Sequence, residues 1–193
     1  MINNCKFILK KIIRVIYSKK VLLVYDHDCF LNQLSSATIV KANDSNIHDT
    51  LSFQNEKYAR VFSDFLKNGD TGYLAYEKGE CIHRSWVRSG KQLVNLNWAF
   101  KLQIENNEHY IHYCETAVKA RGKNIYPHVL DHIAKDYKNK GRVFLTVNKN
   151  NNASIKGVEK AGFIEKERII LLLVLGFKIR KIKRSRDHHN TKR

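Results

Sequence analysis

The sequence is poor in the residues that mark several protein classes, with one proline, four cysteines and one methionine in 193 residues. The cysteines (Cys5, Cys29, Cys81 and Cys114) lie far apart and form no C-x-x-C pair. This spacing excludes a zinc ribbon or a disulfide-stapled secreted domain and favours a reducing compartment. The longest apolar run, Ile169 to Phe177, is nine residues, whereas about 20 are needed to span a bilayer. Lysines and Arg14 interrupt the apolar residues near the start, so we predict no signal peptide and a cytoplasmic protein.

Acidic residues are scarce at both ends of the chain, where most of the net charge of +17 is concentrated. On a helical wheel of residues 5–18, the basic side chains lie on one face. The isoleucines, Leu9 and Val15 lie on the opposite face. This pattern predicts a basic amphipathic helix within residues 1–20. That helix either docks on the domain or lies on an anionic membrane surface. Residues 179–193 are predicted to be a basic, disordered tail.

Apolar periodicity between the ends predicts a single domain over residues 21–178. A first strand is expected at Val21–Asp26, a helix over 49–70 ending at "NGD", and a hairpin over 71–90 that turns at Lys78-Gly79. The hairpin is followed by a strand over 108–118, a helix to about Lys140, a strand over 142–148 and a helix ending at Gly162. One or two further strands are expected after that helix. The order indicates an α/β chain of the α+β type, in which helices flank a mixed, mostly antiparallel central sheet.

One junction between a strand and a helix, "RGKNIYP" from Arg121 to Pro127, has the properties of an anion site. Free N–H groups and the positive end of the helix dipole meet there. Gly122 lets the backbone approach a ligand closely, and Asn124 tolerates left-handed geometry. Pro127 falls in the first helical turn, where a missing N–H costs little.

A second segment, "NNASIKGVEKAGF" from Asn151 to Phe163, follows one strand later. Together the two segments resemble the GNAT superfamily of acyl-CoA-dependent N-acyltransferases, over about residues 70–177. Arg121 and Gly122 match the first family signature, while Asn124 and Tyr126 replace two later small residues. The second signature is matched by Asn151, Ser154, Ile155, Glu159, Lys160, Gly162 and Phe163, with Val158 where a tyrosine usually stands.

The resemblance implies a GNAT-like fold that uses acetyl-CoA as the acyl donor and no metal. The residues it assigns to the pyrophosphate are Arg121, Gly122, Lys123, Asn124, Ile125 and Tyr126. The residues it assigns to the pantetheine arm and thioester are Cys114, Thr116, Asn151, Ser154 and Lys160, together with the backbone of Glu115.

The reaction implied is attack of an amine on the thioester, which requires a base for the ammonium proton and an acid for the thiolate. Glu115 and His112 are the candidate bases, and strand alternation places them on opposite faces. Val158 cannot donate a proton, so Tyr126, Tyr113 and water stay open as the acid. His83 and Ser85 are expected to bind the acceptor, a small amine such as an amino sugar of bacterial surface polysaccharide assembly.

Two alternatives from other classes stay open. The first is a GNAT-like protein that binds CoA without catalysis, because Val158 replaces the tyrosine. The second is a basic nucleic-acid-binding protein, although the body of the chain has no recognised nucleic-acid module and nucleic acid is therefore disfavoured as a partner. Peripheral contact with an anionic membrane surface is a further expectation, and the sequence is compatible with a monomer or a homodimer.

Overall fold

The computed structural model describes residues 17–185, which form ten strands and three α-helices. The strands are β1 (Tyr17–His27), β2 (Thr38–Lys41), β3 (Thr71–Glu77), β4 (Glu80–Ser89), β5 (Gln92–Asn95), β6 (Lys101–Ile104), β7 (Glu108–Thr116), β8 (Arg142–Asn148), β9 (Phe163–Val174) and β10 (Phe177–Arg184). The helices are α1 (Lys57–Lys67), α2 (Ile125–Asp136) and α3 (Asn152–Lys160), and short 3-10 helices occupy Ile47–Ser52 and Val118–Ala120.

Eight strands form one sheet in the order β10-β9-β1-β8-β7-β4-β3-β2, and β5 and β6 form a separate hairpin. Within residues 17–185, β7 and β8 are the only parallel neighbours in that sheet. The predicted mixed, mostly antiparallel sheet is therefore confirmed. The first strand of the described chain, β1, lies in the interior of the sheet between β8 and β9.

Both faces of the sheet bury apolar side chains, because β1 and β8 alternate between two cores. On one face α2 and α3 cover the sheet, with Leu23, Leu145, Val129 and Val158 among the buried residues. On the other face the β5–β6 hairpin covers Leu22, Val24, Phe144, Ile169 and Leu171. A third cluster joins α1 to the sheet through Phe62 and Trp86. Among residues 17–185, no helix is long and apolar enough to cross a membrane.

The predicted helix over 49–70 is divided in two in the structure. The first part is the 3-10 helix Ile47–Ser52, and α1 begins only at Lys57. The side chain of Asn55 accepts a hydrogen bond from the Lys57 N–H at 3.1 Å, which starts a new turn rather than continuing the old one. The prediction that the helix ends at "NGD" agrees with the structure, where Gly69 adopts a φ of +81°.

The predicted boundaries at both ends need correction. Tyr17 to Lys20 belong to β1, so a helix cannot extend to residue 20, and the rest of the predicted basic helix lies outside the described residues. The tail predicted from residue 179 is a strand as far as Arg184, because β10 pairs with β9 along its whole length. Its isoleucines favour a strand, and the many lysines and arginines conceal that preference in the sequence.

Candidate functional site

The parallel strands β7 and β8 separate halfway along their length. They pair from Glu108 with Arg142 to Ile111 with Leu145, and no further. Beyond that point β8 continues beside β1, where Asn148 lies opposite Leu22. β7 continues beside β4 but changes register there, and Tyr113 adopts a left-handed φ of +49°. A bulge of this kind bends its strand and leaves the extra residue unpaired.

A cavity of about 410 Å³ fills the opening between the two strands. Its walls come from the diverging ends of β7 and β8, from the starts of α2 and α3, and from one side of α1 and β5. The lining residues are Phe65, Arg88, Val94, Asn95, Tyr110, Ile111, His112, Tyr113, Cys114, Tyr126, Leu145, Thr146, Val147, Asn148, Asn151 and Ser154.

His112 lies in this cavity, next to an ion pair formed by two other side chains. Its Nε2 is 3.2 Å from the Oδ2 of Asp70, whose side chain is fully buried. Nε2 has no hydrogen-bond partner among residues 17–185, so its contact with Asp70 is a close electrostatic one. Arg88 binds the same carboxylate with Nε and Nη2, at 2.8 and 2.6 Å. Within residues 17–185, Nδ1 of His112 forms no hydrogen bond and is left for a ligand.

The electrostatics keep this histidine neutral and this carboxylate charged. Burial lowers the pKa of His112 below its usual 6.5, and the neighbouring Asp70 only partly opposes that effect. For Asp70, burial alone would raise the pKa, but contacts with His112 and Arg88 outweigh it and hold the pKa below its ordinary value. With Asp70 facing Nε2, the tautomer that satisfies the carboxylate carries its proton on Nε2 and presents a free lone pair at Nδ1.

Glu115, the other candidate base, lies outside the cavity. It forms a salt bridge of 2.9 Å with Arg84, whose side chain is 3% exposed. Arg84 also donates to Gln54 and to the carbonyl of Tyr113, and it lies over the ring of Phe62. The charge of Glu115 therefore compensates a buried guanidinium. Of the two predicted bases, the structure brings only His112 to the cavity.

The loop before α2 has the backbone geometry that the sequence predicts. Gly122 has a φ of +82° and Asn124, the N-cap, a φ of +62°. A Cβ on Gly122 would meet no atom within 4 Å, so open space lies beside it. The side chain of Asn124 donates to Gln33 and Leu34 instead of capping the helix. The N–H groups in the first turn of α2, which have no partner within the helix, therefore receive no cap from the Asn124 side chain.

The basic side chains of this loop have protein partners. Lys123 forms a 2.6 Å ion pair with Glu77, and Arg121 donates to the carbonyl of Thr116 at 3.3 Å. Both are exposed. An anion at this loop would be held mainly by backbone N–H groups. The two side chains could bind it only if Lys123 left Glu77 and Arg121 left the Thr116 carbonyl.

Tyr126 turns its ring into the cavity, where the sequence could not place it. A Cβ on Gly157 would lie 2.7 Å from Cδ1 of Tyr126, so the absence of a side chain on α3 makes room for the ring. Val158, at the position where the family has a tyrosine, is fully buried in the core. Burial and then the Cys114 thiol raise the pKa of Tyr126 well above its usual value.

The other predicted site residues divide into two groups. Cys114, Asn151 and Ser154 line the cavity, and the Asn151 side chain caps α3 by accepting from the Ser154 N–H at 3.2 Å. Thr116, Lys160, His83 and Ser85 are not among the lining residues. Lys160 is exposed at the far end of α3.

His83 and Ser85, predicted to bind the acceptor, are fully buried instead. His83 bonds Thr116 Oγ1 at 2.7 Å through Nδ1 and Ser85 Oγ at 2.8 Å through Nε2. Both faces of β4 are covered, so strand alternation did not expose the polar face as expected. Burial, with the charge of Arg84, lowers the pKa of His83 to about 3.

Asp70 and Arg88 are site residues that the sequence analysis missed. Asp70 was interpreted only as part of a helix stop, and Arg88 only as a residue of a strand. Their ion pair joins the start of β3 to the end of β4. The one available signal was the hairpin itself, which brings residues near its two ends together.

By sequence alone the chain matches no protein-family model and no curated protein. Similar solved structures include a GNAT-family acetyltransferase from Colwellia psychrerythraea, with a TM-score of 0.61 and 16% identity over 81% of this chain and 56% of the other. A second is a putative GNAT-family acetyltransferase from Novosphingobium aromaticivorans. Its TM-score is 0.57 with 12% identity, over 79% of this chain and 63% of the other. This chain thus spans less than two thirds of the length of either of those proteins.

A third similar structure is AAC(6')-Iy in complex with the bisubstrate analogue CoA-S-monomethyl-acetylneamine. Its TM-score is 0.54 with 13% identity, over 68% of this chain and 92% of the other. Identities this low establish shape rather than chemistry. What they establish is that this chain has the fold of the GNAT-family acetyltransferases.

Proposed function

We propose that this protein is an acetyl-CoA-dependent N-acetyltransferase that transfers a short acyl group to a primary amine of a small acceptor. The observation that carries the proposal is the opening between β7 and β8, whose lining includes His112 and, in the first turn of α2, Tyr126, which follows the left-handed loop directly in the chain. A thioester arm and a pyrophosphate would need those two features side by side. The cysteines of residues 17–185, Cys29, Cys81 and Cys114, are all free, which supports a reducing, cytoplasmic location.

The donor would bind through the backbone. Its pyrophosphate would lie against the N–H groups of Gly122 to Tyr126, where the helix dipole favours negative charge. The pantetheine arm would follow the cavity past Asn151 and Ser154, which line it at the start of α3. The thioester would then lie beside the β7 bulge, next to His112 and Cys114.

His112 is the base that we propose for the reaction. The acceptor amine forms a bond to the thioester carbon, and its proton passes to the free lone pair on Nδ1 of His112. Collapse of the tetrahedral intermediate breaks the C–S bond and releases CoA as a thiolate, which takes up a proton. A pKa below 6.5 leaves the imidazole neutral and able to accept a proton at pH 7.

Tyr126 is the proton donor that we propose for the departing thiolate. Val158 has no proton to give and is buried in the core, whereas the Tyr126 ring lines the cavity. Its raised pKa keeps the phenol protonated at neutral pH. Tyr113 also lines the cavity, but its side chain lies beside Phe65 and Arg84, on the side of α1.

The acceptor that we propose is an amino sugar, in the setting of bacterial surface polysaccharide assembly. Phe65, Asn95 and Arg88 line the cavity on the side of α1 and β5, and they combine an aromatic ring with polar groups that a sugar can use. The neighbour AAC(6')-Iy, named an aminoglycoside N-acetyltransferase, supports an acceptor of this class.

Calorimetry with acetyl-CoA tests the proposed donor site. We expect binding to the wild-type protein and at least a tenfold loss in Gly122→Val, because a branched side chain would fill the space that the phosphates need. Gly176→Val is the matched control, since Gly176 also has a positive φ, +85°, and no neighbour within 4 Å of a Cβ. It should share the backbone strain but keep the affinity. No binding at millimolar acetyl-CoA would refute the proposal.

A CoA-binding protein without catalysis is the second candidate, and Val158 favours it. Release of free thiol from acetyl-CoA separates the two, when measured with a panel of amino sugars, nucleotide-linked amino sugars, polyamines and peptides. Acceptor-dependent thiol release supports the enzyme. Tight acetyl-CoA binding with no release for any amine supports the binding protein.

A further inference from the structure

The end of the β9–β10 hairpin and the start of β1 form a surface that the catalytic proposal does not use. Strand register aligns side chains in rows across β1, β9 and β10. Residues directly opposite one another in a sheet share a face. The four rows on this face are Tyr17–Val174–Phe177, Lys19–Leu172–Ile179, Val21–Ile170–Lys181 and Leu23–Arg168–Lys183. Leu23 is buried in the core, and we call the rest of these rows, with Leu175 in the hairpin turn, the hairpin surface.

Large apolar side chains are exposed at one end of the hairpin surface. Phe177 is 74% exposed, Leu175 70%, Tyr17 54% and Ile179 50%. Leu175 and Gly176 form the turn, both with positive φ, so the hairpin tip projects an aliphatic side chain. Single exposed apolar residues are ordinary, but a contiguous group marks an interaction site.

The charged side chains of the hairpin surface are all basic. Lys19, Lys181 and Lys183 follow the apolar end, and the fourth basic residue, Arg168, is paired with Glu165. Strand β10 carries five lysines and arginines in eight residues and no acid. A partner for this surface must therefore supply negative charge next to an apolar layer.

We propose that the hairpin surface docks on an anionic lipid bilayer. The tip side chains Leu175 and Phe177, with Tyr17, would enter the interface between headgroups and acyl chains, and the three lysines would contact the headgroups. A second copy of the chain is disfavoured, because pairing two β10 edges would bring two rows of like charge together. A nucleic acid would match the charge but offers no hydrocarbon layer for leucine and isoleucine. The proposal is independent of the acyltransfer chemistry.

Vesicle sedimentation with the full chain tests the proposal. Vesicles of phosphatidylcholine alone are compared with vesicles that also contain phosphatidylserine, at low and at high salt. We expect salt-sensitive binding to the anionic vesicles only. Each basic residue near an anionic surface changes the membrane partition coefficient about fivefold. The triple variant Lys19→Gln, Lys181→Gln, Lys183→Gln should therefore bind the anionic vesicles about 100-fold more weakly. Leu175→Ser with Phe177→Ser should also weaken binding.

Matched controls separate this surface from general charge. Lys67, Lys91 and Lys138 are exposed outside the hairpin surface, and changing all three to Gln removes the same net charge. Leu93→Ser with Trp98→Ser removes apolar side chains that are exposed elsewhere. Both controls should bind anionic vesicles within a fewfold of wild type. Equal losses in the hairpin and control variants would overturn the proposal.

Two further results would contradict it. Duplex DNA binding that is lost in the hairpin variants, without vesicle binding, would assign the surface to nucleic acid. Sedimentation equilibrium showing a dimer that the hairpin variants dissociate, again without vesicle binding, would assign it to a second copy.

Discussion

At the scale of single residues, the decisive contact is between His112 and Asp70. A histidine in an aromatic environment, stacked against Tyr110 and edge-on to Phe65, would be only weakly basic. The carboxylate of Asp70 restores part of that basicity and orients the ring. Arg88 keeps the carboxylate ionised, so two side chains from the β3–β4 hairpin, Asp70 just before β3 and Arg88 at the end of β4, set the protonation of an imidazole on β7.

A titration of His112 by NMR tests this arrangement without knowledge of the acceptor. We expect a pKa below 6.5 in the wild-type protein, because burial is the largest effect on this group. Asp70→Asn should lower it further, since the carboxylate is the main influence that raises the pKa.

The titration of His128, on α2, provides the internal control, because it should be the same in both proteins. The His112→Gln variant assigns the His112 signal. A wild-type pKa above 6.5, or an unchanged pKa in Asp70→Asn, would contradict the role assigned to Asp70.

Residues whose role depends on local backbone were predictable, and residues whose role depends on distant partners were not. Gly122 and Asn124 adopt the left-handed conformations that their residue types favour, so the sequence was informative there. Glu115 was indistinguishable from His112 as a base, because the buried Arg84 that engages it lies 31 positions earlier in the chain.

At the scale of elements, the close approach of α2 to α3 shapes the cavity. Gly157 on α3 leaves space that the Tyr126 ring on α2 fills. A glycine inside a helix is unfavourable by about 1 kcal/mol relative to alanine. Gly157 therefore lowers the stability of α3, but it allows the Tyr126 ring to occupy its position.

Gly157→Ala therefore should weaken acetyl-CoA binding by about tenfold, or about 1.4 kcal/mol, even though alanine favours the helix. The new Cβ would lie 2.7 Å from the Tyr126 ring and would push the ring further into the cavity that it already lines. The same change in a Tyr126→Ala background should have no effect, because the ring is gone. Calorimetry on the four members of this double-mutant cycle measures the coupling, and additive effects would show that the two residues do not interact.

Elements with regular apolar alternation were predicted, whereas short or highly charged ones were not. β3, β4 and their turn at Lys78-Gly79 agree with the structure, because aromatic and β-branched residues on both sides of a glycine turn mark a hairpin even where both faces are buried. β2, β5 and β6 are four residues each, too short for a period to be visible. β10 has three apolar residues that keep to no single face, Phe177, Ile179 and Ile182, and its charge suggested a tail.

At the scale of the whole molecule, buried histidines make the stability depend on pH. The pKa values of His27, His83, His112 and His128 are all lowered, in each case with burial as the largest cause. The unfolded chain then binds more protons than the folded one below pH 6.5, so the free energy of unfolding decreases as the pH falls through that value.

The effect should be largest for His83, whose pKa falls to about 3. Between pH 7 and pH 5 it should cost about 2 kcal/mol of unfolding free energy. Urea unfolding at the two pH values measures the loss, and His83→Gln should reduce the difference between them even if it destabilises the protein at both. His48→Gln, at an exposed site, is the control and should keep the full pH dependence. An equal pH dependence in both variants would exclude His83 as its source.

The interior position of β1 has a consequence for the order in which the protein folds. β1 is synthesised early, yet it pairs only with β8 and β9, which follow it by more than a hundred positions. Contacts so distant in sequence form slowly, because a long loop must close first. We expect the half of the sheet made of β2, β3, β4 and β7 to assemble while the chain is still being made. The apolar residues Val21–Val24 would meanwhile stay unpaired, and exposed to chaperones or to aggregation, until β9 has left the ribosome.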